Sequence, residues 1–326
     1  MDSIWKNLLV GTPNQMLSEK NFQLIKPEEY EKKKKELEEF RSQLNENGYA
    51  YLECTKELQK IAESLQEEST KIFNTTKEEK QKNLNLNIEK ENIRVSYTSS
   101  KLREMFDVHS TTDIFPNKEF EKTSKMAFEK CLEICFEYLE MLSHVLGFDF
   151  EYLKHLAGNP NDTETSLRLS HYLYSRKDTK TVCPGHCDSG IITLITCFNK
   201  GLHIKNFKND KWIDVEKISP QKPCVILLVG ETLSRLTAGY LKAPLHKVIT
   251  DQERLAFTFF LRGDLTKQLE FKKMKSNFLL KNSDKEDEEL FETCYMKDID
   301  SRNPPKGKSY GYKFKETEYY KANDRK

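Results

Sequence analysis

The sequence has no long apolar run, no excess of charge of either sign and no leader-like start. No window of about 18 apolar residues occurs in the 326-residue chain, so we expect no membrane-spanning helix. The 53 basic and 52 acidic residues leave a net charge of +1, which gives no electrostatic reason to expect binding to nucleic acid or to an anionic membrane. Residues 1–14 lack the basic, apolar and small-residue order of a secretory signal. We therefore expect a cytoplasmic protein, and we start from a monomer.

The cysteines are scattered rather than arranged as a disulfide framework. In a chain of this length they indicate reduced thiols. Cys183 and Cys187 flank His186, which raises zinc as an alternative. However, their spacing is loose and no second Cys/His pair follows at zinc-finger distance, so ordinary thiols are favoured. The hydrophobic fraction of 37% is low, but 19 Phe and 14 Tyr argue against global disorder.

The hydrophobic period changes near residue 165, which predicts three regions: a helical part with one short strand (1–165), a β core (166–265) and a charged, partly helical extension (266–326). In the first region, apolar residues recur at helical spacing and Gly147 follows the last repeat as a stop. This spacing predicts helices over 28–47, 58–73 and 124–146, a strand over 48–52 and a loop over 81–100. In the extension, an aromatic cluster between 310 and 320 predicts a helix that packs back.

After residue 165 the period becomes two, which is typical of strands that bury one face. Turn residues separate the apolar runs, which predict eight strands over 166–174, 191–198, 202–206, 212–215, 224–229, 233–237, 246–250 and 255–262. Eight short strands at this spacing favour two facing sheets. We therefore predict an α+β protein with a mainly β core, a jelly roll with flanking helices.

Candidate metal ligands lie just before one predicted strand and at the first residue of another. Residues two apart on an extended backbone project from the same face, so His186 and Asp188 can offer an imidazole and a carboxylate to one point. His246 opens another predicted strand and is the candidate third ligand. Two imidazoles and one carboxylate leave three positions of an octahedron open, which is typical of non-haem iron(II) oxygenases. A His-x-Asp pair alone is also common in surface turns capped by the Asp.

Arg254 begins an apolar run in which a charge needs a partner. Its planar guanidinium can hold a carboxylate through two parallel hydrogen bonds, and the far carboxylate of 2-oxoglutarate is a suitable anion. A structural salt bridge to an Asp or Glu of the protein is the alternative.

These residues resemble those of the isopenicillin N synthase-like family of non-haem iron(II), 2-oxoglutarate-dependent oxygenases. The similarity covers roughly residues 48–262. Beyond the ligands and the strand of Arg254, its motifs are residues 47–52, 73–80, 96–107, 168–172, 201–204, 212–215, 228–232, 237–240 and 244–249. The resemblance implies a double-stranded β-helix, a form of jelly roll, which agrees with the change of period.

The resemblance also implies roles for single residues. It places iron(II) on His186, Asp188 and His246, and the distal carboxylate of 2-oxoglutarate on Arg254 and the hydroxyl of Tyr172. This chain departs from the family at Ala256, where a Ser hydroxyl is usual, and at Ser170, where Asn is common.

The missing hydroxyl at Ala256 corresponds to about 1 kcal/mol, and Thr258, two residues on along the same face, is the candidate replacement. In the family, residues matching Arg94 and Tyr97 border the substrate, and Arg262 after the last strand is a further candidate.

The expected function is an iron(II)- and 2-oxoglutarate-dependent oxygenase that oxidises a small organic molecule with O2 and releases succinate and CO2. Ascorbate is expected to support the activity. Two alternatives remain. One is an iron-dependent oxidase on the same fold that does not use 2-oxoglutarate, and the other is a non-catalytic binding protein that keeps the fold. The fold does not identify the substrate.

Overall fold

The computed structural model describes residues 27–84, 97–112, 115–173, 180–219, 223–237, 239–269 and 295–299. Over these residues, none of the helices is both long and apolar enough to cross a membrane. The predicted aromatic helix of the tail and the candidate residue Arg94 lie outside the described residues.

The helices lie mainly before the β core, as the sequence predicts. The second helix begins where the Thr55 hydroxyl accepts a hydrogen bond from Leu58 N at 3.2 Å, and the fourth where Asn117 Oδ1 accepts one from Phe120 N at 2.8 Å. The fourth helix ends before Gly147, whose φ of 78° is the left-handed conformation that stops a helix. The helices are α1 (Pro27–Asn47), α2 (Lys56–Phe73), α3 (Lys77–Leu84), α4 (Lys118–Val145), α5 (Tyr152–Ala157), α6 (Glu231–Leu236) and α7 (Met296–Ile299).

The described strands form two antiparallel sheets. They are β1 (Tyr49–Tyr51), β2 (Tyr97–Ser99), β3 (Arg103–His109), β4 (Ser166–Tyr172), β5 (Lys180–His186), β6 (Ile192–Cys197), β7 (Leu202–Lys205), β8 (Trp212–Asp214), β9 (Cys224–Val229), β10 (His246–Thr250) and β11 (Arg254–Leu261). The major sheet has the order β1-β9-β6-β11-β4-β3-β2, and the minor sheet the order β5-β10-β7-β8. The N-terminal region therefore supplies three strands of the major sheet.

Both faces of the major sheet are covered where β6 and β9 lie. Every residue of β6 and β9 is buried. One apolar cluster joins a face of this sheet to α2, α4 and α5, and a second lies between the two sheets. The jelly roll predicted from the sequence is confirmed, and the space between its sheets is where the polar pocket described below opens.

Two parts of the secondary structure differ from the prediction. The predicted strand 233–237 is wrong, because α6 occupies these residues with Ser234 N bonded to Gly230 O at 2.9 Å. In addition, β2 and β3 were not predicted as strands, and neither was β5, which contains Pro184 and Gly185. Proline has no N–H for a sheet and is tolerated at an edge, and β5 is an edge strand of the minor sheet.

Candidate metal centre

The structure brings the three predicted ligands to one point. His186 is the last residue of β5 and His246 the first of β10, and the two are directly paired across these strands. Asp188 lies in the loop that leads into β6. Its Oδ1 is 3.7 Å from Nε2 of both imidazoles, and the possible ligand atoms of all three lie within 4.8 Å of one another.

Each imidazole is oriented by its own strand. His186 Nδ1 lies 2.9 Å from the carbonyl oxygen of Pro184, and His246 Nδ1 lies 3.0 Å from that of Pro244. A carbonyl only accepts, so Nδ1 carries the proton in each neutral ring, and the lone pair of Nε2 is left for a metal. The same Pro-x-His arrangement therefore prepares both ligands.

The loop that carries Asp188 is held by the start of α6. Glu231 N donates to Asp188 O at 2.7 Å, and Thr232 Oγ1 donates to Ser189 O at 2.8 Å. Gly230 passes so close to Gly190 O that a Cβ atom at 230 would overlap with it. These contacts fix the loop without using the carboxylate of Asp188.

The surroundings of Asp188 favour its ionised form. Burial alone would raise the pKa of Asp188, but His246 and His186 outweigh it and hold that pKa below its usual value. Burial lowers the pKa of His246, which is only 4% exposed. An ionised carboxylate beside a neutral imidazole is a suitable donor set for a divalent metal.

Iron(II) fits this donor set on an observation independent of the sequence. Asp188 Oδ2 is buried and has no hydrogen-bond partner among the described residues. A buried carboxylate oxygen without a partner is costly, and a metal ion would remove that cost. His186, Asp188 and His246 would hold the ion, and no other such group of three occurs in the described part of the chain.

Arg254 lies in the same cleft but already has a carboxylate partner. Its Nη2 donates to Glu216 Oε1 at 2.5 Å, and both side chains are almost wholly buried. Glu216 also accepts from Leu202 N at 2.8 Å. Burial lowers the pKa of Arg254, but Glu216 more than offsets this and raises the pKa. Gly201, at a φ of 145°, leaves space for Arg254, since a Cβ there would lie 3.1 Å from Arg254 Cδ.

The remaining donors of Arg254 are available. Its Nε and Nη1 are buried and have no hydrogen-bond partner among the described residues. Tyr172 is paired with Arg254 across β4 and β11, and the guanidinium carbon lies 5.1 Å from the centre of the Tyr172 ring. Both line the cleft of the three candidate ligands, whose volume is about 480 Å³ with its open mouth included. A 2-oxo acid therefore has room and donors here.

The other predicted co-substrate residues also line this cleft. Ala256 is paired with Ser170 on β4 and with Cys197 on β6, so all three lie one row beyond Arg254. Thr258 lies one row further, opposite Arg168. The structure therefore brings Ser170, Ala256 and Thr258 to one wall, and their roles in binding stay predictions.

The predicted substrate residues are not brought together. Tyr97 lies in the apolar cluster on the helix side of the major sheet, and its hydroxyl donates to Glu104. The structure thus places Tyr97 outside the lining of the cleft, since alternation along β3 puts Glu104 on the face opposite Arg103, which lines it. The role of Tyr97 in substrate binding stays a prediction. Arg262 follows β11 and donates to Ser189 Oγ in the loop of Asp188, outside the lining of the cleft.

Sequence reasoning missed Glu216, Arg103 and Cys183. Arg103 and Cys183 line the cleft, and Cys183 Sγ lies 3.9 Å from His186 Nδ1. Arg103 stands in one of the motifs of the resemblance, and alternation along its strand could have shown that it shares a face with Asp107. No local signal identifies Glu216, because Val-Glu-Lys at the end of a short strand is the usual sequence of a charged turn.

A jelly roll that gathers two imidazoles and one carboxylate in a cleft defines a class: the non-haem iron enzymes with an open coordination face. Residues 163–263 match the model of the 2OG-Fe(II) oxygenase superfamily. This match covers the jelly-roll region of the chain, from β4 to β11. The resemblance found in the sequence is confirmed at this level, and the superfamily implies iron(II), 2-oxoglutarate and O2.

Named relatives and solved structures agree with this assignment. The chain is 26% identical over 169 residues to the 2-oxoglutarate-dependent dioxygenase citB of Monascus ruber, covering 48% of this chain and 49% of that protein. It is 29% identical over 148 residues to the probable 2-oxoglutarate-dependent dioxygenase AOP1 of Arabidopsis thaliana, covering 44% and 46%. The match thus spans about half the length of these relatives.

The fold agrees with that of a full-length Neurospora crassa protein solved in complex with alpha-KG. The TM-score is 0.63 at 17% identity, over 74% of this chain and 85% of that one. At this identity the likeness shows the fold alone.

Proposed function

We propose that this protein is an iron(II)- and 2-oxoglutarate-dependent oxygenase that hydroxylates or otherwise oxidises a small organic molecule, releasing succinate and CO2. One observation carries the proposal: the ligand atoms of His186, Asp188 and His246 lie within 4.8 Å of one another in the cleft that Arg254 also lines. The substrate is a small molecule, and the protein acts as a monomer in the cytoplasm.

Separate residues of the cleft would bind the metal and the co-substrate. His186, Asp188 and His246 would hold the metal. Bound iron supplies the activation of O2, while the protein supplies position and a sheltered pocket. Arg254, whose Nη1 and Nε lack a partner among the described residues, would bind the distal carboxylate of 2-oxoglutarate, and the hydroxyl of Tyr172 would be a second donor. The two sheets flank this point, where Asp188 and His246 are buried and His186 is partly exposed.

The first test measures succinate. We expect the purified protein with Fe(II), ascorbate and 2-oxoglutarate to form succinate, and His186→Ala or Asp188→Ala to abolish its formation, because each removes a ligand. Cys187→Ala is the matched control, since this thiol stands between the two ligands but donates to Ala243 O. Unchanged succinate formation in either ligand variant would contradict the assignment. Loss in the Cys187 variant, with the fold intact, would favour zinc-type ligation.

A second candidate function is an oxidase on the same scaffold that does not use 2-oxoglutarate. It is favoured by the buried ion pair between Arg254 and Glu216, at 2.5 Å, together with the missing hydroxyl at Ala256. Anaerobic addition of Fe(II) and then 2-oxoglutarate separates the two candidates. The proposed oxygenase should develop the weak visible charge-transfer band of the chelate, whereas the oxidase should bind iron without it.

A further inference from the structure

We propose that Arg103 binds a carboxylate in the cleft, next to the carboxylate-binding position at Arg254. The inference deepens the proposed function and rests on it. The carboxylate can come from two sources, the distal group of 2-oxoglutarate or an acidic group of the organic substrate. In the first case Arg103 shares the carboxylate assigned to Arg254 and Tyr172, and in the second the cleft accepts one further anion.

The first argument is the balance of charge. Three arginines line the cleft. Arg168 donates to both oxygens of Asp107 at 2.7 Å, and Arg254 donates to Glu216 at 2.5 Å. Arg103 has no carboxylate within ion-pair distance among the described residues. A half-buried guanidinium that lacks an anionic partner is costly, and an anionic ligand would remove that cost.

The second argument is the position of Arg103 on the sheet. Tyr172 on β4 is paired with Arg254 on one side and with Arg103 on the other, so the three form one row across β11, β4 and β3. The guanidinium carbons lie 5.1 Å and 5.9 Å from the centre of the Tyr172 ring. A ligand that reaches Tyr172 is therefore within reach of both arginines.

The third argument is distance from the metal ligands. Arg103 Nη1 donates to Cys183 Sγ at 3.6 Å, and that sulfur lies 3.9 Å from His186 Nδ1. Arg103 is thus linked through Cys183 to the first candidate ligand, and all three residues line the same cleft. A thiol is a weak acceptor, so this contact leaves the planar guanidinium able to hold a carboxylate.

The first arm of the test measures 2-oxo acid affinity of the full chain loaded with Mn(II). It compares 2-oxoglutarate with 2-oxopentanoate, which has a methyl group in place of the distal carboxylate. If 2-oxoglutarate is the source, Arg103→Gln weakens its binding at least tenfold and leaves 2-oxopentanoate unchanged. Arg41→Gln, an arginine in α1 remote from the cleft, is the control and should change neither.

The second arm tests the substrate as the source. With Mn(II) and saturating 2-oxoglutarate, proton relaxation of butanoate and of butanamide reports which of them binds near the metal. If the substrate is the source, butanoate but not butanamide relaxes faster, and Arg103→Gln removes at least four fifths of this effect. Arg103→Lys keeps the charge without the planar fork, so it should retain an intermediate effect and can replace Arg103→Gln should that variant not fold.

The outcomes separate this inference from the proposed function. If the wild-type protein binds no Mn(II), the proposed function fails. If it binds Mn(II) and 2-oxoglutarate but Arg103→Gln changes neither arm, or if butanoate has no effect and 2-oxoglutarate affinity is unchanged, the inference about Arg103 is overturned alone. A tenfold loss of 2-oxoglutarate affinity in the first arm, or loss of at least four fifths of the butanoate effect in the second, supports it and identifies the source.

Discussion

At the scale of single residues, Glu216 decides how Arg254 is used. Its carboxylate is fully buried and 2.5 Å from Arg254 Nη2, so the two charges compensate each other before any ligand binds. Breaking a buried pair by removing one charge costs about 3–5 kcal/mol, since the other charge stays buried and unpaired. The freed arginine is also more strongly attracted to an external carboxylate.

We therefore expect Glu216→Gln to lower the free energy of unfolding by roughly 3–5 kcal/mol and to bind 2-oxoglutarate more tightly than the wild type. Urea unfolding measures the first effect and ligand titration the second. Glu46→Gln is a suitable control, because the pair of Glu46 with Lys208 spans a similar distance of 3.0 Å but is exposed, and it should change neither quantity. A Glu216 variant as stable as the wild type would refute the compensation.

Glu104 gives a prediction about pH. It accepts from Lys80 Nζ at 3.0 Å and from the Tyr97 hydroxyl, and it lies 3.3 Å from His171 Nδ1. Burial alone would raise the pKa of Glu104, but Tyr97, Lys80 and His171 together lower it. A carboxyl whose pKa is lower in the folded state stabilises the fold fully above its ordinary pKa of about 4.3, and loses that contribution as the pH falls through the folded value.

The wild type should therefore lose stability more steeply than Glu104→Gln as the pH falls from about 5 to 3. Urea unfolding at a series of pH values measures the two slopes. Glu129→Gln, an exposed position on α4, should keep the wild-type slope. Equal slopes for the wild type and Glu104→Gln would show that the carboxyl does not contribute in this way.

At the scale of elements, the start of α6 positions the metal ligand loop. Glu231 N and Thr232 Oγ1 hold residues 188 and 189, and Gly230 touches Gly190 O so closely that no side chain fits. We expect Gly230→Ala to shift this loop and to weaken Mn(II) binding at least tenfold, measured by electron paramagnetic resonance of the free ion.

Gly185→Ala is the matched comparison, because a Cβ there meets nothing closer than 3.7 Å although the residue is next to His186. It should bind Mn(II) as the wild type does. Equal affinity of both glycine variants would mean that crowding at 230 does not control the site.

The same elements show how far the sequence predicts the fold. Period-two alternation located β4, β6, β7, β9, β10 and β11, because these strands are flanked by turns and bury at least one face. It failed at residues 233–237, because two leucines and a threonine also suit a strand. The helix α6 that forms there begins directly after Gly230, which lies against Gly190 of the loop that carries Asp188. It missed β5, since Pro184 is acceptable there only because that strand lies at a sheet edge.

At the scale of the whole molecule, the site divides into predictable and unpredictable parts. His186 and Asp188 are two residues apart on extended chain, and His246 opens a strand, so their convergence follows from alternation and a jelly roll. Glu216 follows β8 at the edge of the minor sheet, whereas Arg254 begins β11 of the major sheet. Their contact depends on how the two sheets face each other, which a local sequence pattern does not predict. The family resemblance predicted that Arg254 binds the distal carboxylate of 2-oxoglutarate, but it did not predict the ion pair of Arg254 with Glu216.

The strand order of the major sheet predicts how a fragment of this protein without its N-terminal strands would behave. The stretch that matches the superfamily, residues 163–263, contains β4 to β11 but not β1, β2 or β3. If this stretch were produced alone, one backbone edge of β9 and one of β4 would be unpaired, because β1 and β3 form hydrogen bonds with these edges in the full chain. Bare strand edges recruit other strands, so the excised piece should self-associate, whereas β1 and β3 cover these two edges in the full chain.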